Sequence, residues 1–425
     1  MTTPAKPSPT SSPRETAASS DRLALWITYL NIVLYALCYQ LQRPVEPFLV
    51  EALSHKAGDD GATSISQRYG QLNSFFSAIQ TVGSPLVGIM LDRIGIRYAS
   101  ALVFLASTIS YAILAKSTDL TLLFISKIPT ALQHAFLVAQ ATAATTTRGD
   151  AAARAQALGR MTTAYTIGAT IGPALGGYLV DTLGDLYLGA RLAVVGSLFS
   201  VFLSLWFLPN VSQPNNSNKN HPVRSQSFLE DLKKSGEMAM RSSLWPLLVV
   251  KVLGGVSASM LSTAMPLVLT QNLKFDSSQL GMNMSSSMFA VAAFGAVAMA
   301  PLASHVGPAG MARIGLLCRA LLETTLASIV STASGNDLHG VLRVAFVSIL
   351  YALSSHALAT GLTTQTTGVV DKTEQGALLG LEHGLFSLAR IGAPPLSTYL
   401  LSKGSFWYVA GACSLIDLAL VGTLR

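Results

Sequence analysis

GSPLVGIMLDRIGIR, residues 83–97, is the stretch that decides the fold. An apolar helix ends there in a short polar turn, and the next apolar helix begins at Tyr98. The turn carries Asp92, Arg93 and Arg97 around Gly95. Basic residues beside a short turn between membrane helices mark the cytoplasmic side of the bilayer. The stretch therefore predicts a membrane hairpin whose turn faces the cytosol.

The composition of the whole chain also indicates a membrane protein. Of its 425 residues, 50% are hydrophobic and only 12% are charged, whereas soluble domains carry about 25% charged residues. The net charge of +7 comes from basic residues at helix ends and in one loop. That placement is typical of an orientation signal in a bilayer, and we expect no nucleic-acid partner.

The apolar segments predict an all-α membrane protein with twelve transmembrane helices in two pseudo-repeats of six. The first six run near residues 23–42, 69–91, 98–115, 120–144, 158–180 and 190–208. The second six run near residues 244–270, 280–303, 311–332, 341–370, 377–401 and 406–424. We expect a disordered cytosolic tail at 1–21, six-helix bundles at 22–208 and 242–425, and a cytoplasmic linker at 209–241. Both termini are then cytosolic, and residues 50–68 form the longest outer loop.

The two halves repeat short sequence patterns. LDRIG at 91–95 corresponds to ASHVG at 303–307, and Tyr178 corresponds to Tyr399. Asp150 with the pair at 158–159 corresponds to Asp371 with the pair at 379–380. Paired halves of six spans are typical of a transporter whose binding site lies between the repeats.

The first turn fits the pattern G-x-x-x-D-R-x-G-x-R, with Gly88, Asp92, Arg93, Gly95 and Arg97 in the fixed positions. This pattern resembles the loop between helices two and three of the major facilitator superfamily. The resemblance implies a conformational latch, in which Asp92 faces the start of span eleven near 373–377. It also implies that Arg93 and Arg97 pair with carboxylates or lipid headgroups. The alternative is an ordinary cytoplasmic hairpin whose charges stay in water.

A second motif lies in span five, where GATIGPALGG has the spacing G-x-x-x-G-P-x-x-G-G. It resembles the antiporter motif of the same superfamily, and its members are Gly168, Gly172, Pro173, Gly176 and Gly177. Glycines at helical spacing let a neighbouring helix approach closely, and a proline allows a bend. We expect a pivot between the halves here. The alternative is a packing face with no role in transport.

Ionisable and polar groups inside apolar spans are costly to bury and mark candidate sites. The candidates for proton or substrate binding are Glu46, Lys127, Gln133, His134, Lys251, His356, Glu382 and Arg390. Lys127 lies where antiporters of the superfamily carry a basic residue linked to proton transfer, although the family pattern favours Arg. Lys127 alternatively pairs with Glu46, and Lys251 alternatively reaches the cytoplasmic surface.

Other charged residues have plain structural explanations. Arg319 and Glu323 are four residues apart on one helix and are expected to satisfy each other. Glu382, His383, Arg390 and Asp417 form a possible packed cluster in spans eleven and twelve. His134 and His356 are alternatively hydrogen-bonded core residues. By resemblance, spans one, four, seven and ten line the cavity, which adds Tyr35, Tyr39, Tyr351 and Ser354 as cavity residues.

Several functions are disfavoured by missing motifs. The chain has no G-x-x-x-x-G-K-[ST], no H-E-x-x-H and no G-x-S-x-G, so we expect neither ATP-driven transport nor an enzyme. Its three cysteines, Cys38, Cys318 and Cys413, lie in apolar segments without metal-ligand spacing, and we expect no metal or other cofactor.

The resemblance extends to drug–proton antiporters and to the organic-cation-transporter-like proteins of solute carrier family 22. It rests on residues 69–97, 126–140 and 246–255. It implies a monomeric secondary transporter in the plasma membrane or an endomembrane, which exports small organic molecules such as drugs or organic cations in exchange for protons. Two alternatives stay open: a facilitator or importer of a metabolite or anion, suggested by Lys127 and Lys251, and a non-transporting sensor with the same fold.

Overall fold

The computed structural model describes residues 13–58, 61–147, 151–209, 236–332, 338–370 and 375–424. The first half contains α1 (Pro13–Gln40), α2 (Glu46–Lys56), α3 (Ala62–Leu114), α4 (Leu120–Ile125), a 3₁₀ helix (Ile128–Leu132), α5 (Ala135–Thr146), α6 (Ala151–Leu183) and α7 (Leu188–Phe207). The second half contains α8 (Trp245–Gln271), α9 (Ser277–Val297), α10 (Met299–Thr332), α11 (Leu338–Val369), α12 (Gln375–Leu401) and α13 (Phe406–Val421).

The chain is an all-α, multi-pass membrane protein, as predicted. Within the described residues, nine segments are long and apolar enough to cross a bilayer. Helices α6, α12 and α13 lie where the other three of the twelve passes are predicted. Of these, α6 and α12 are long but rich in glycine and polar residues, and α13 is apolar but has only 16 residues.

The turns at Gly95 and Gly307 have the same backbone conformation. Gly95 has φ 77° and ψ 173°, and Gly307 has φ 74° and ψ 163°. Side chains with a Cβ atom avoid this region, so both positions require glycine. Each turn separates two membrane passes, within α3 and α10 respectively. LDRIG and ASHVG therefore form the same type of turn in the two halves.

An arginine fixes the last helix of each half. Arg97 Nε donates to Leu208 O at 2.6 Å, and Arg313 Nε donates to Leu424 O at 2.6 Å. The last carbonyls of a helix lack partners within the helix, and a positive charge there is favourable. Arg97 thus binds a helix end, whereas the expected partners were carboxylates or lipid headgroups.

Three predicted boundaries differ from the structure. Helix α1 begins at Pro13, inside the expected 1–21 tail, because Ala and Glu in this stretch favour helix. Helix α2 occupies residues expected in a polar outer loop, because Leu49, Val50 and Leu53 are buried in the first bundle. Span four, expected as one helix, is broken between Ile125 and Ala135. The expected 209–241 linker falls largely on residues outside the described part.

The two bundles meet where α6 packs against α9 and α3 packs against α12. The end of α6 lies against the start of α9, and the start of α3 lies against the end of α12. We call this side of the molecule the closed end, and the opposite side, with the Gly95 and Gly307 turns, the Gly95 end. Hydrogen bonds across the closed end join Ser66 to Gln271, Ser74 to Ile391, Ala174 to Ser285 and Ser277 to Gly177.

Candidate transport site

The break in span four follows from Pro129. A proline has no backbone N–H, and its ring clashes with the carbonyl four residues earlier, so the helix stops near Ile125. Carbonyls freed in the break accept hydrogen bonds from side chains of neighbouring spans. The pairs are Ser110 Oγ with Ser126 O at 2.7 Å, Gln80 Nε2 with Thr130 O at 2.8 Å, and Tyr35 Oη with Gln133 O at 3.3 Å.

The break is also held by a close backbone contact. A Cβ atom on Gly83 of α3 would lie 1.8 Å from Ala131 O. Only glycine fits there, so α3 runs directly against the 3₁₀ helix. Non-helical backbone at membrane depth is tolerated where protein or a cavity surrounds it. Neighbouring helices of the first bundle therefore surround the break and hold it in place.

The break brings Lys127 to Glu46. Lys127 Nζ lies 2.6 Å from Glu46 Oε1, and Arg43 Nη1 lies 3.9 Å from Glu46 Oε2. The side chains of Lys127 and Glu46 are only 12% and 11% exposed. Lys127 also lies 5.9 Å from the centre of the Phe76 ring, on which Tyr39 stacks. The structure therefore shows the ion pair that was one of two interpretations of Lys127.

A small cavity of about 30 Å³ adjoins this pair, which is room for roughly two water molecules. Gln133 is buried on its wall and donates through Nε2 to Tyr111 Oη at 3.1 Å. His134 comes next in the chain, and its Nε2 is buried with no hydrogen-bond partner among the described residues. Polar atoms of spans one, three and four thus converge on one small, charged pocket.

A second lysine pair lies in the other bundle. Lys251 Nζ is 2.6 Å from Glu382 Oε2 and 3.0 Å from Thr363 Oγ1. The three residues join α8, α11 and α12. One interpretation expected Lys251 to reach the cytoplasmic surface. Its ammonium group instead binds the carboxylate of Glu382 on the neighbouring helix α12. Both Lys251 and Glu382 lie near the helix starts at the Gly95 end, whereas Lys127 and Glu46 lie toward the closed end.

Arg319 is the centre of a third charged cluster, inside the second bundle. Its Nε lies 2.9 Å from Asp417 Oδ2, while its Nη2 lies 3.8 Å from Glu323 Oε1. The Nη2 group donates to Ser257 Oγ at 2.9 Å and to Gly254 O at 3.1 Å. Arg319 and Glu323 therefore do not satisfy each other alone, since Asp417 of α13 is the nearer partner.

The cluster predicted in spans eleven and twelve does not form. Glu382 binds Lys251, Asp417 binds Arg319, and Arg390 is exposed. The His383 side chain lies outside the described residues. The reason is geometric: Glu382 on α12 faces α8, whereas Asp417 on α13 faces α10, so the two carboxylates have different partners.

The remaining cavity candidates have varied surroundings. The Tyr351 ring lies 5.3 Å from Arg319 Cζ. Ser354 Oγ donates to Leu350 O of its own helix, so its hydroxyl is already satisfied. His356 lies beside α9, with Nε2 3.2 Å from where a Cβ on Gly295 would be.

The glycine motif of α6 serves two interfaces. Gly168, Gly172 and Gly176 face the first bundle, where added Cβ atoms would lie 2.4 Å from Val33 O, 2.6 Å from Gln40 Cβ and 2.2 Å from Leu41 O. Gly177 faces the second bundle, where its Cβ would lie 2.0 Å from Ser277 O. The spacing that indicated a helix-packing groove thus also supplies a bundle-to-bundle contact.

Pro173 completes that contact. Its carbonyl lies 2.2 Å from where a Cβ on Gly281 of α9 would be. The next residue, Ala174, donates its backbone N–H to Ser285 Oγ at 2.8 Å. Backbone therefore meets backbone across the interface, with small residues on both sides.

Comparison with known proteins agrees with this architecture. The pattern of the Major Facilitator Superfamily matches residues 28–266 and 247–424, which together span nearly the whole chain. The chain belongs to the major facilitator superfamily.

Within the superfamily, the chain is 26% identical to mouse solute carrier family 22 member 18 over 379 residues, 88% of each protein. It is 27% identical to the class B tetracycline resistance protein of Escherichia coli over 212 residues, 49% of each. Among solved structures, the human organic anion transporter MFSD10 superposes with a TM-score of 0.66 at 19% identity, covering 95% of this chain and 99% of that one. The chain is thus a superfamily transporter of small molecules.

The latch expected for superfamily members falls partly outside the described residues. The Asp92 side chain, residues 371–374 and the side chains of 375–377 are not described. Arg93 is exposed, and around Gly88 no described atom lies within 4 Å of an added Cβ. The latch at Gly88, Asp92, Arg93, Gly95 and Arg97 stays a prediction.

Several residues that support the candidate transport site were not predicted from the sequence. Gln80, Ser110 and Tyr111 support the break in span four, and Thr363 binds Lys251. Each is a polar residue in an apolar span, which is a weak signal because such residues also bond to their own helix, as Thr81 does to Ser77 O.

Proposed function

We propose that this chain is a proton-coupled antiporter that exports small organic molecules, drugs or organic cations, by alternating access. The observation that carries the proposal is the pair Glu46–Lys127, a carboxylate and a lysine about nine-tenths buried beside a broken membrane helix. Charges inside a membrane protein mark substrate and proton pathways, and broken helices mark transporter binding sites.

Glu46 offers a direct basis for exchange. A carboxylate can bind a proton or a cationic substrate, but it does not hold both at once. Proton binding therefore releases the cation, and cation binding releases the proton. Lys127 and Arg43 keep the empty carboxylate charged and in place between these two events.

The contacts at the closed end support alternating access. The bundles meet there through small residues, Gly177 with Ser277 and Gly281 with Pro173. At the Gly95 end, no described atom lies within 4 Å of an added Cβ on Gly88 or Gly159. We infer that the described conformation opens toward the Gly95 end, and that rocking of the bundles exposes the site at the other end.

Topology and organisation complete the proposal. The basic residues Arg93 and Arg97 favour a cytosolic location for the Gly95 end, with both termini on the same side. The bundles span 22–208 and 242–425, and the linker spans 209–241. The transporter works as a monomer in the plasma membrane or an endomembrane.

Basic groups inside both bundles favour a second candidate function. Arg43, Lys127 and Lys251 would suit an anionic metabolite carried by facilitated diffusion, and the similar fold of an organic anion transporter is compatible with this. Such transport needs no proton gradient, and this separates the two candidates.

Flux through the purified full chain in proteoliposomes tests the proposal. A tetracycline, a fluorescent organic cation and an organic anion are offered outside, with the lumen acidic or at equal pH. We expect cation or tetracycline uptake with an acidic lumen, and loss of that uptake with an uncoupler or with Glu46→Gln. Glu51→Gln is the matched control, since Glu51 lies on the same helix, is exposed and pairs with His55. Uptake indifferent to the uncoupler favours the facilitator, and flux of no compound contradicts both.

A further inference from the structure

We infer that Arg319, Glu323 and Asp417 form a protonation site inside the second bundle, in which Glu323 holds a proton while Asp417 is the ionised partner of Arg319. In transport this site releases and rebinds a proton in addition to the exchange at Glu46, a role that rests on the proposed antiport. The cluster lies apart from both lysine pairs, and its members come from α10 and α13.

Charge balance requires a proton in this cluster. Arg319 is 2% exposed, and Glu323 and Asp417 are 0% exposed. One guanidinium with two carboxylates would leave a net negative charge in the bundle interior. Burying an unbalanced charge costs several kcal/mol, and two carboxyl groups in one buried site share their ionisation for this reason. One of the two acids is therefore neutral.

The geometry assigns the proton to Glu323. Asp417 Oδ2 lies 2.9 Å from Arg319 Nε, whereas Glu323 Oε1 lies 3.8 Å from Nη2. Glu323 Oε1 instead accepts a hydrogen bond from Ser257 Oγ at 3.2 Å. Each acid has an oxygen that is buried without a hydrogen-bond partner among the described residues, Glu323 Oε2 and Asp417 Oδ1. The acid that lies farther from the guanidinium, Glu323, is therefore the one for which burial favours the neutral form.

The surroundings supply no further described charge. Helix α8 contributes Ser257 and Gly254 O, and α13 contributes Cys413, whose Sγ donates to Ser257 O. From α11, Tyr351 brings its ring over Arg319, and its Oη is buried without a partner in the described part of the chain. The cluster is thus polar and enclosed in this conformation.

Ser257 connects the site to the neighbouring helix α8. Its Oγ accepts from Arg319 Nη2 and donates to Glu323 Oε1, so it bridges the base and the neutral acid. Helix α8 also carries Lys251, which binds Glu382 of α12. A rearrangement within the second bundle that separates α8 from α10 would break the Ser257 bridge. Glu323 then passes its proton to water and shares Arg319 with Asp417 as a carboxylate.

Infrared spectroscopy of the purified full chain tests the protonation state. We expect the carbonyl stretch of a protonated carboxylic acid at neutral pH in the wild type and in the Glu51→Gln control, and its loss in Glu323→Gln. Asp417→Asn should erase the same band although Glu323 remains, because Glu323 then balances Arg319 as a carboxylate. A band that persists in Glu323→Gln overturns the assignment, whether or not Asp417→Asn folds.

Proteoliposomes test the transport role. Glu323→Gln should keep substrate-for-substrate exchange, which moves no net proton, and should lose accumulation driven by an acidic lumen. Accumulation that survives in Glu323→Gln, or loss of exchange in a folded variant, overturns the role. If the wild type transports nothing, the proposed antiport fails, and the infrared band still decides whether the protonation site exists.

Discussion

Gly177 and Ser277 touch backbone to backbone across the two bundles, since a Cβ on Gly177 would lie 2.0 Å from Ser277 O. In addition, Ser277 Oγ donates to Gly177 O at 3.0 Å. Neither carbonyl can move away without separating α6 from α9. This contact therefore reports directly on whether the closed end is closed.

The substitution Gly177→Ala should open the closed end. The added methyl group overlaps a backbone carbonyl, which cannot rotate aside as a flexible side chain could. We expect a cysteine at Ser66, buried against Gln271 at the same end, to react faster with a thiol reagent in Gly177→Ala than in the parent. The assay uses a chain with Cys38, Cys318 and Cys413 replaced by alanine.

Gly159→Ala is the control for this substitution. Gly159 lies on the same helix, and no described atom lies within 4 Å of its added Cβ. In Gly159→Ala, the cysteine at Ser66 should react with the thiol reagent at the same rate as in the parent. Equal rates in Gly177→Ala and the parent would mean that this contact does not hold the bundles together.

Glu46 and Lys127 should depend strongly on each other. Removing either partner leaves the other charge largely buried, which costs up to about 3–5 kcal/mol of unfolding free energy. We expect Lys127→Met and Glu46→Gln each to approach that loss in detergent micelles, and the double variant to be more stable than either. Additive losses in this double-mutant cycle would show that the two side chains are not coupled.

Arg97 and Arg313 should make equal contributions to the ends of their bundles. Each donates a charged hydrogen bond to a carbonyl just past a helix end, Leu208 O after α7 and Leu424 O three residues after α13, which is worth about 1.5–3 kcal/mol. We expect Arg97→Gln and Arg313→Gln to speed amide exchange in the last turns of α7 and α13 respectively. Lys116→Gln, an exposed basic residue of the first half, is the control. An effect of Arg97→Gln that spreads over the whole chain, with none at α7, would contradict this account.

Gln80 should stabilise the break in span four. Replacing it with leucine leaves Thr130 O without its side-chain donor, and an unsatisfied buried carbonyl costs about 1–3 kcal/mol. Thr81→Val is the matched neighbour, since Thr81 only bonds back to Ser77 O. Unfolding in detergent should therefore be easier for Gln80→Leu than for Thr81→Val. The reverse order would mean that the break needs no support from α3.

Local sequence patterns predicted those features that depend on one helix or one turn. Gly95 and Gly307 were paired by short motifs, and the same left-handed backbone occurs at both. The spacing of the α6 glycines alone predicts a close approach of a neighbouring helix, whereas the pivot expected there stays a prediction. In each case the local backbone conformation or packing requires a glycine, so the requirement is visible in a single sequence.

Contacts between helices were harder to predict. Hydropathy alone predicts one helix over residues 120–144. It takes no account of Pro129, although a proline inside a span disfavours a continuous helix. The pairs Lys251–Glu382 and Arg319–Asp417 join residues far apart in the chain. Their choice of partner depends on how whole helices rotate and pack, and apolar periodicity does not encode this.

Pulsed electron–electron distances between spin labels at both ends test alternating access most directly. In the cysteine-free chain, one pair of labels at Gln67 and Asn272 spans the closed end, and a second at Arg160 and Ser304 spans the Gly95 end; all four residues are exposed. When pH or substrate is changed in proteoliposomes, we expect the first distance to lengthen as the second shortens. Distances that stay fixed, or that change together in the same direction, would contradict two bundles rocking about a shared central site.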